Sequence, residues 1–423
     1  MTTASVSTPG NAGDLPDDAE LVAARQSAPR TSPSGRRIPF TIERNSLQHR
    51  ALIVVGLIVA LLVILWGGGL GAFERGQLTR VMIYAIAIAG LNVATGYTGL
   101  VSVGHSAFFG LGAYTTGVLV VKYGWHPEAT LPIAFALCFV VGLIVGLPAL
   151  RIRGLYLAMV TLAFGVAFPE VVARFAGLTG GASGLTIRRR MLKPPDWTGF
   201  TLAERGQWLY WLAAGVLVVM MLLVHNLVTS RYGMAMKAAR DNEIAAAASG
   251  VNLAAVKSLS FGMSGAIAGV GGSLFAMYLG SLVASDSFTL LNAIALLTGL
   301  VIGGEATRFG PIVGALAVVY IPYYTSNIGQ GQSASVLFGA ALIVIVFLAP
   351  EGLVGGFFRL LRRVFAITPT RRPSRPPEDA AAPTPTNAPT TATAHAPTTA
   401  QPDGTVSEPG APPMTGGEPT SAV

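Results

Sequence analysis

Residues 90–117, GLNVATGYTGLVSVGHSAFFGLGAYTTG, sit between strongly apolar runs and yet break their own apolar pattern every few positions with glycine or a small polar residue. A helix facing lipid gains nothing from such interruptions. Backbone that leaves helical geometry at membrane depth persists only where it is packed in protein or lines a watery cavity. Discontinuous helices of this kind build substrate sites in transporters. The stretch therefore points to a polytopic membrane protein that passes something across a bilayer.

Composition agrees. The 423-residue chain is 52% hydrophobic and 11% charged, with a mean hydropathy of +0.59, far from soluble globular averages. Residues 51–363 hold 19 Lys+Arg and 10 Asp+Glu. The basic residues gather at the ends of apolar segments, as membrane topology demands. That placement, and not nucleic-acid binding, accounts for the isoelectric point near 9.8. The one cysteine, Cys138, lies in an apolar run and forms no intrachain disulfide.

Residues 1–46 and 364–423 are expected to be disordered cytoplasmic tails around a permease domain at 47–363. Thirteen of the 27 prolines fall in 366–423, which has no aromatic residue, a composition that buries no core. Between the tails lie ten apolar segments: 51–71, 79–96, 104–122, 131–150, 155–173, 208–228, 254–280, 290–304, 310–325 and 334–349. The first follows a long polar leader, so Ala51–Gly71 reads as a true span rather than a cleaved signal. The expected fold is all-α with about 10 spans, or eight full crossings if two of the short, Gly-broken segments are re-entrant. Arg36, Arg37, Arg44 and Arg50 before the first segment, and Arg359, Arg362 and Arg363 after the last, place both termini in the cytoplasm. The basic loop 174–207 falls outside in this topology and disagrees with the charge rule. A second Gly-broken stretch at 296–315 matches 90–112 in pattern, which suggests an internal repeat.

Two constellations carry the functional reading. In the first, Asn92, Gly96, Tyr97, Gly99, Ser102, His105 and Ser106 offer donors, acceptors and free backbone without fixed charge, a lining suited to a small zwitterion or amide. The same glycines also serve close helix packing, and His105 reads either as a hydrogen-bonded structural residue or as a proton carrier. The second is the loop 230–252. Asp241 or Asn242 is a good N-cap, Glu243 favours a first turn and Gly250 a helix end. The Ala-rich helix between them, with Ala245 and Ala246, spans about two turns, too short to stand alone in water. It needs a partner surface or a bed of headgroups, and Arg231, Lys237 and Arg240 flank it.

Absences narrow the mechanism. No span carries a charge at its middle, so the usual proton relay is missing. No G-x-x-x-x-G-K-[ST] occurs, and none of the four lysines follows a glycine, so the chain has no P-loop for nucleotide. No catalytic or metal-ligating set stands out, and uphill transport would draw its energy from another subunit.

Residues 90–117, 154–165 (GLYLAMVTLAFG), 178–185 (LTGGASGL) and 231–250 together resemble the branched-chain amino-acid ABC transporter permeases, of the larger partner type in a permease pair. The resemblance covers roughly 75–360. In that class the loop carries Glu-Ala-Ala, three residues and Gly; here Ile244 intervenes between Glu243 and Ala245-Ala246. The resemblance implies a multi-pass subunit of a bacterial plasma membrane that catalyses no chemistry and holds no cofactor. Its implied partners are a second permease subunit, two cytoplasmic ATPase subunits that bind ATP-Mg, and an extracytoplasmic substrate-binding protein. Residues Arg240–Gly250, including Asp241, Asn242 and Glu243, would dock the ATPase, and residues of the first break would form the path. Relatives with the same blocks carry urea or short amides. A sodium-coupled secondary transporter and a channel are the rival classes, and neither needs an ATPase.

Overall fold

The computed structural model describes residues 64–148 and 155–328, together with 40–43, 62, 336, 339–340, 343–344, 347, 352–356 and 365–368. The long helices are α1 (Ala72–Leu91), α2 (His105–Tyr123), α3 (Leu131–Gly146), α4 (Leu155–Arg174) and α5 (Arg205–Thr229). After these come two shorter ones, α6 (Arg231–Asp241) and α7 (Glu243–Ala248), then α8 (Leu253–Leu279), α9 (Leu290–Gly303) and α10 (Gly310–Ile328). The fold is all-α and polytopic. Six helical stretches are long and apolar enough to cross a membrane: 72–97, 127–146, 156–174, 205–229, 253–279 and 284–303. Helices α2 and α10, each of 19 residues, coincide with two further apolar segments of the sequence but carry more glycine, threonine and tyrosine. The expected segments at 51–71 and 334–349 lie largely outside the described residues, as do the tails. Within the tails, β1 (Phe40–Glu43) pairs in parallel with β4 (Phe365–Thr368), Phe40 opposite Phe365, where composition offered no sign of a strand.

Helices α1 and α8 form the centre. An unbroken run from Val81 to Leu91 is buried, and so is almost every residue of α8 from Ser260 to Met277. A helix that is apolar all round has to be enclosed, and α2, α3, α5, α9 and α10 enclose this pair. The outer helices keep one face free. On α3 that face is Leu137, Val140 and Ile144, on α5 Val218, Val219 and Leu222, a spacing of three to four residues that turns leucine-like side chains toward lipid.

Glycine sets how close the central helices come. A methyl group at Gly112 would strike the backbone of Gly269, one at Gly272 the carbonyl of Phe109, and one at Gly90 the carbonyl of Ser264. Without a hydrophobic drive between helices in lipid, such backbone-on-backbone approach is a main source of association. The same contacts give direction. Gly265 meets Phe108 and Gly117 meets Leu282, so α2 runs parallel to α8; Gly76 meets Tyr278 and Gly90 meets Ala268, so α1 runs antiparallel to it. Helices α9 and α10 form a tight hairpin with Gly303 on Gly310 and Gly299 on Gly314. The segments 92–104, 230–252 and 304–309 thus share one end of the bundle. The 175–204 segment and the short antiparallel pair β2 (Leu185–Thr186) and β3 (Ser281–Leu282) share the other.

Gly272→Val is expected to lower the melting temperature of the detergent-solubilised protein, with an overpacking cost of about 1–3 kcal/mol or more because the obstacle is backbone. Gly215→Ala, where nothing lies within 4 Å of the added carbon, should leave it unchanged. Equal melting temperatures for the two variants would show that α2 and α8 do not meet through this seam.

Candidate functional site

The first break begins where α1 ends. The chain makes one wider π turn over Asn92–Tyr97 and then runs irregularly to His105. Such turns occur mostly as single insertions at functional sites. The carbonyls that it releases are taken up locally: the Thr98 hydroxyl donates to Val93 O at 3.0 Å and the Thr95 hydroxyl to Leu100 O at 3.1 Å. Gly99 completes the reversal at φ +75°, a left-handed conformation that favours glycine.

Asn92 ties this break to the second one. Its Nδ2 donates to Thr307 O at 3.0 Å and its Oδ1 accepts from Ala306 N at 2.9 Å. Ala306 is held at φ +55°, uncommon for a residue other than glycine. Gly96 makes room for the clasp, because a side chain there would collide with Asn92 Oδ1 and Ala306 N. The two Gly-rich stretches matched in the sequence therefore touch. Their surroundings differ, since α9 and α10 pack directly whereas α8 lies against both α1 and α2.

His105 sits in a chain of hydroxyls at the start of α2. Ser264 donates its only proton to Gly90 O at 2.5 Å, so it can meet His105 Nε2, 2.7 Å away, only as an acceptor. His105 Nε2 then carries the hydrogen, and Nδ1 accepts from the Ser102 hydroxyl at 2.8 Å. The ring is 1% exposed and neutral in this arrangement. It fastens α2, α8 and the last turn of α1 together. Ser264 is 11 residues into α8, about 16 Å along its axis, so the fastening lies deep between the two ends.

Asn92, Tyr97, Ser102, His105 and Ser106 are each at most 3% exposed. Gly96 is buried with them, while Gly99 and Val101 form the open edge of the break. The Tyr97 and Ser106 hydroxyls are buried without a hydrogen-bond partner among the described residues.

The loop 230–252 folds as the caps dictate. Ser230 accepts from Gly233 N and starts α6. Asn242 ends α6 in an extended conformation and caps α7 by accepting from Ala245 N at 3.0 Å. Gly250, at φ +83°, turns the chain out of α7, and Asn252 caps α8. Of the two candidate caps, Asn242 is therefore the one used. Ala246 faces inward at 4% exposure, whereas Ile244 stands out at 76%, with Ala245, Ala247 and Ala248 exposed beside it. Arg240 remains 41% exposed along its side chain, yet its Nη1 reaches across to donate to Gly96 O at 2.7 Å. Its 3.5 Å contact with Asp241 is exposed and of little weight. Glu243 is also turned inward, its Oε1 2.7 Å from Nζ of Lys257, a lysine only 4% exposed.

Sequence reasoning missed Lys257, Ser264, Ala306 and Thr307, and it read Ile244 only as an interruption of the Glu-Ala-Ala pattern. The first was visible as a lone cation one turn into an apolar segment. The other three carried no local signal.

Lys257 is buried with Glu243 as its ion-pair partner, and taking away one member of a buried pair leaves the other uncompensated. Glu243→Gln is expected to cost about 2–4 kcal/mol, at the lower side of the range for breaking a buried pair because Glu243 is partly exposed. Adding Lys257→Met should return most of the loss. A double-mutant cycle of thermal stability reads the coupling, and strictly additive losses would refute the pair.

A family model described as "Branched-chain amino acid transport system / permease component" matches residues 76–347. The high-affinity branched-chain amino acid transport system permease protein LivM of Escherichia coli (strain K12) is 29% identical over 341 residues, covering 76% of this chain and 79% of its own. The LivM protein of Salmonella typhimurium is 30% identical over 294 residues, 65% of this chain and 68% of its own. The probable branched-chain amino acid transport permease protein LivH of Methanocaldococcus jannaschii is 22% identical over 269 residues, 60% of this chain and 83% of its own. No solved structure matches the chain. The matched region runs from the start of α1 past the end of α10 and includes both breaks, the His105 chain and the α6–α7 loop, so this chain belongs to the branched-chain amino acid transport permease family.

Proposed function

We propose that this chain is one permease subunit of an ATP-driven importer of branched-chain amino acids and that α7 is its docking point for a separate ATPase. The observation that carries the reading is the exposed Ile244 with its alanine neighbours, at the same end of the bundle as both breaks. A helix of six residues has no stability of its own. Here caps and the Glu243–Lys257 pair hold it in place, and its small outer side chains leave Ile244 as a knob for a partner's cleft. That end faces the cytoplasm in this reading. The 175–204 end faces outward, where a binding protein delivers substrate. Both termini are cytoplasmic, and the membrane is a bacterial plasma membrane.

The path runs along the open edge of the first break, at Gly99 and Val101, against a sister permease. Asn92, Gly96, Tyr97, Ser102, His105 and Ser106 give that edge its shape. The unpartnered hydroxyls of Tyr97 and Ser106 lie in the same region, and exposed backbone there can solvate both ends of a zwitterion without fixing either. The chain contributes no chemistry, and ATP with its magnesium belongs to the ATPase.

Ile244→Asp places a charge where an apolar contact is proposed. Co-purification of the ATPase should fall at least about tenfold, the scale of losing one well-buried apolar anchor at ~1.5–3 kcal/mol, while membrane insertion and melting temperature hold. Undiminished co-purification would remove α7 from the docking role. In vesicles containing the whole complex, uptake should follow leucine, isoleucine and valine over urea and short amides. A preference for urea would keep the machinery and change the cargo. Uptake without any ATPase would defeat the reading altogether.

A further inference from the structure

We propose that Arg240 is the strut through which movement of the α6–α7 loop reaches the first break, and that Asn92 passes it on to the second. This rests on reading α7 as the ATPase-docking helix. The loop resembles a rigid body more than a tether. Glu243 is paired with Lys257 in the first turns of α8. The Tyr232 hydroxyl, on α6, donates to Val256 O at 2.6 Å. Asn242 is shared between the end of α6 and the start of α7. A push on α7 therefore displaces α6 together with it.

Among the described residues, one side-chain hydrogen bond is recorded from this loop to the first break, Arg240 Nη1 to Gly96 O at 2.7 Å. The acceptor belongs to the last turn of the broken helix, where free carbonyls concentrate negative partial charge. The guanidinium holds a planar set of donors on a half-buried stem. Gly99 lets the stem pass, since a side chain at that position would stand 2.8 Å from Arg240 Cγ. One turn back along the same π helix, Asn92 holds Ala306 N and Thr307 O. Loop, first break and second break are thus joined in series by charged or bidentate hydrogen bonds. Apolar contacts at such joints would tolerate slippage; these fix position.

The test uses the whole transporter, with both permeases, the ATPase and the binding protein, reconstituted in vesicles, and measures substrate taken up per ATP hydrolysed. Arg240→Ala should keep ATPase co-purification and hydrolysis within about twofold of the parent, while uptake per ATP falls about tenfold, the scale for losing a hydrogen bond to a charged group. Arg240→Lys should recover part of the loss. Asn92→Asp keeps the size of the side chain but replaces the donor to Thr307 O with an acceptor, and it should lower the same ratio. The double variant should be little worse than the poorer single one, because both interrupt one series. Melting temperatures near the parent's certify that the variants fold. An unchanged ratio in Arg240→Ala overturns the proposal. So does loss of ATPase co-purification, which would make Arg240 a docking residue and leave the role of α7 standing. Additive losses in the double variant would separate Asn92 from the series and overturn the relay. Failure of Ile244→Asp to release the ATPase would strike the docking reading itself, a distinguishable result.

Discussion

Inside a bilayer, a peptide group that leaves helical geometry finds no water, so it must find protein. The structure around residues 92–104 follows from that constraint. The π turn loosens the backbone; threonine hydroxyls and one arginine take up carbonyls of this break, and Asn92 takes up an amide and a carbonyl of the second. Each satisfies a carbonyl or amide that would otherwise cost several kcal/mol. The same bonds join the break to the second break and to the α6–α7 loop. What keeps the irregular backbone tolerable at depth is therefore also what connects it to distant parts of the chain.

That economy limits how much of the break is left to face a substrate. Most of its polar side chains are spent on backbone groups or on His105, and its open edge is narrow. In the proposed reading, a single subunit of this design offers half a wall. The resemblance to both LivM and LivH proteins fits such a division, since a path between two like subunits needs only one open edge from each.

Much of the fold was legible in the sequence because apolar run length and helix punctuation are local properties. Eight of the apolar segments appear as helices close to their expected bounds, the largest departure being α1, which starts at Ala72 and not at 79, and the α7 caps stand where Asn242 and Gly250 placed them. The first break was legible as a break, but not as a π turn, because glycine and small polar residues permit several irregular geometries equally. The roles of its side chains were beyond local reading. Asn92 meets residues more than 200 positions away, and Arg240 and His105 meet partners more than 140 positions away. No spacing rule spans such separations. In the α6–α7 loop, the Gly96 partner of Arg240 and the Lys257 partner of Glu243 were likewise beyond local reading, while Ile244 stands on the outside.

Two kinds of contact coexist in this bundle, and the difference between them bears on how it moves. The seams of α8 with α1 and α2 are glycine laid on backbone. They give close approach and dispersion, and the rings of Tyr84, Phe109 and Phe275 pack between the three helices as the side-chain knobs that cross them. Small sliding of packed helices is a recognised form of conformational change, and seams of this type, away from those rings, oppose separation more than shear. Asn92, His105, Arg240 and the Lys257–Glu243 pair work the other way, because hydrogen bonds of fixed direction set register and lose their energy within about an ångström of displacement. A bundle built only of seams would drift, and one built only of latches would be rigid. With latches gathered around the two breaks and the loop, and seams running along the central helices, the proposed relay would direct displacement of the loop to the breaks while the core stays closed.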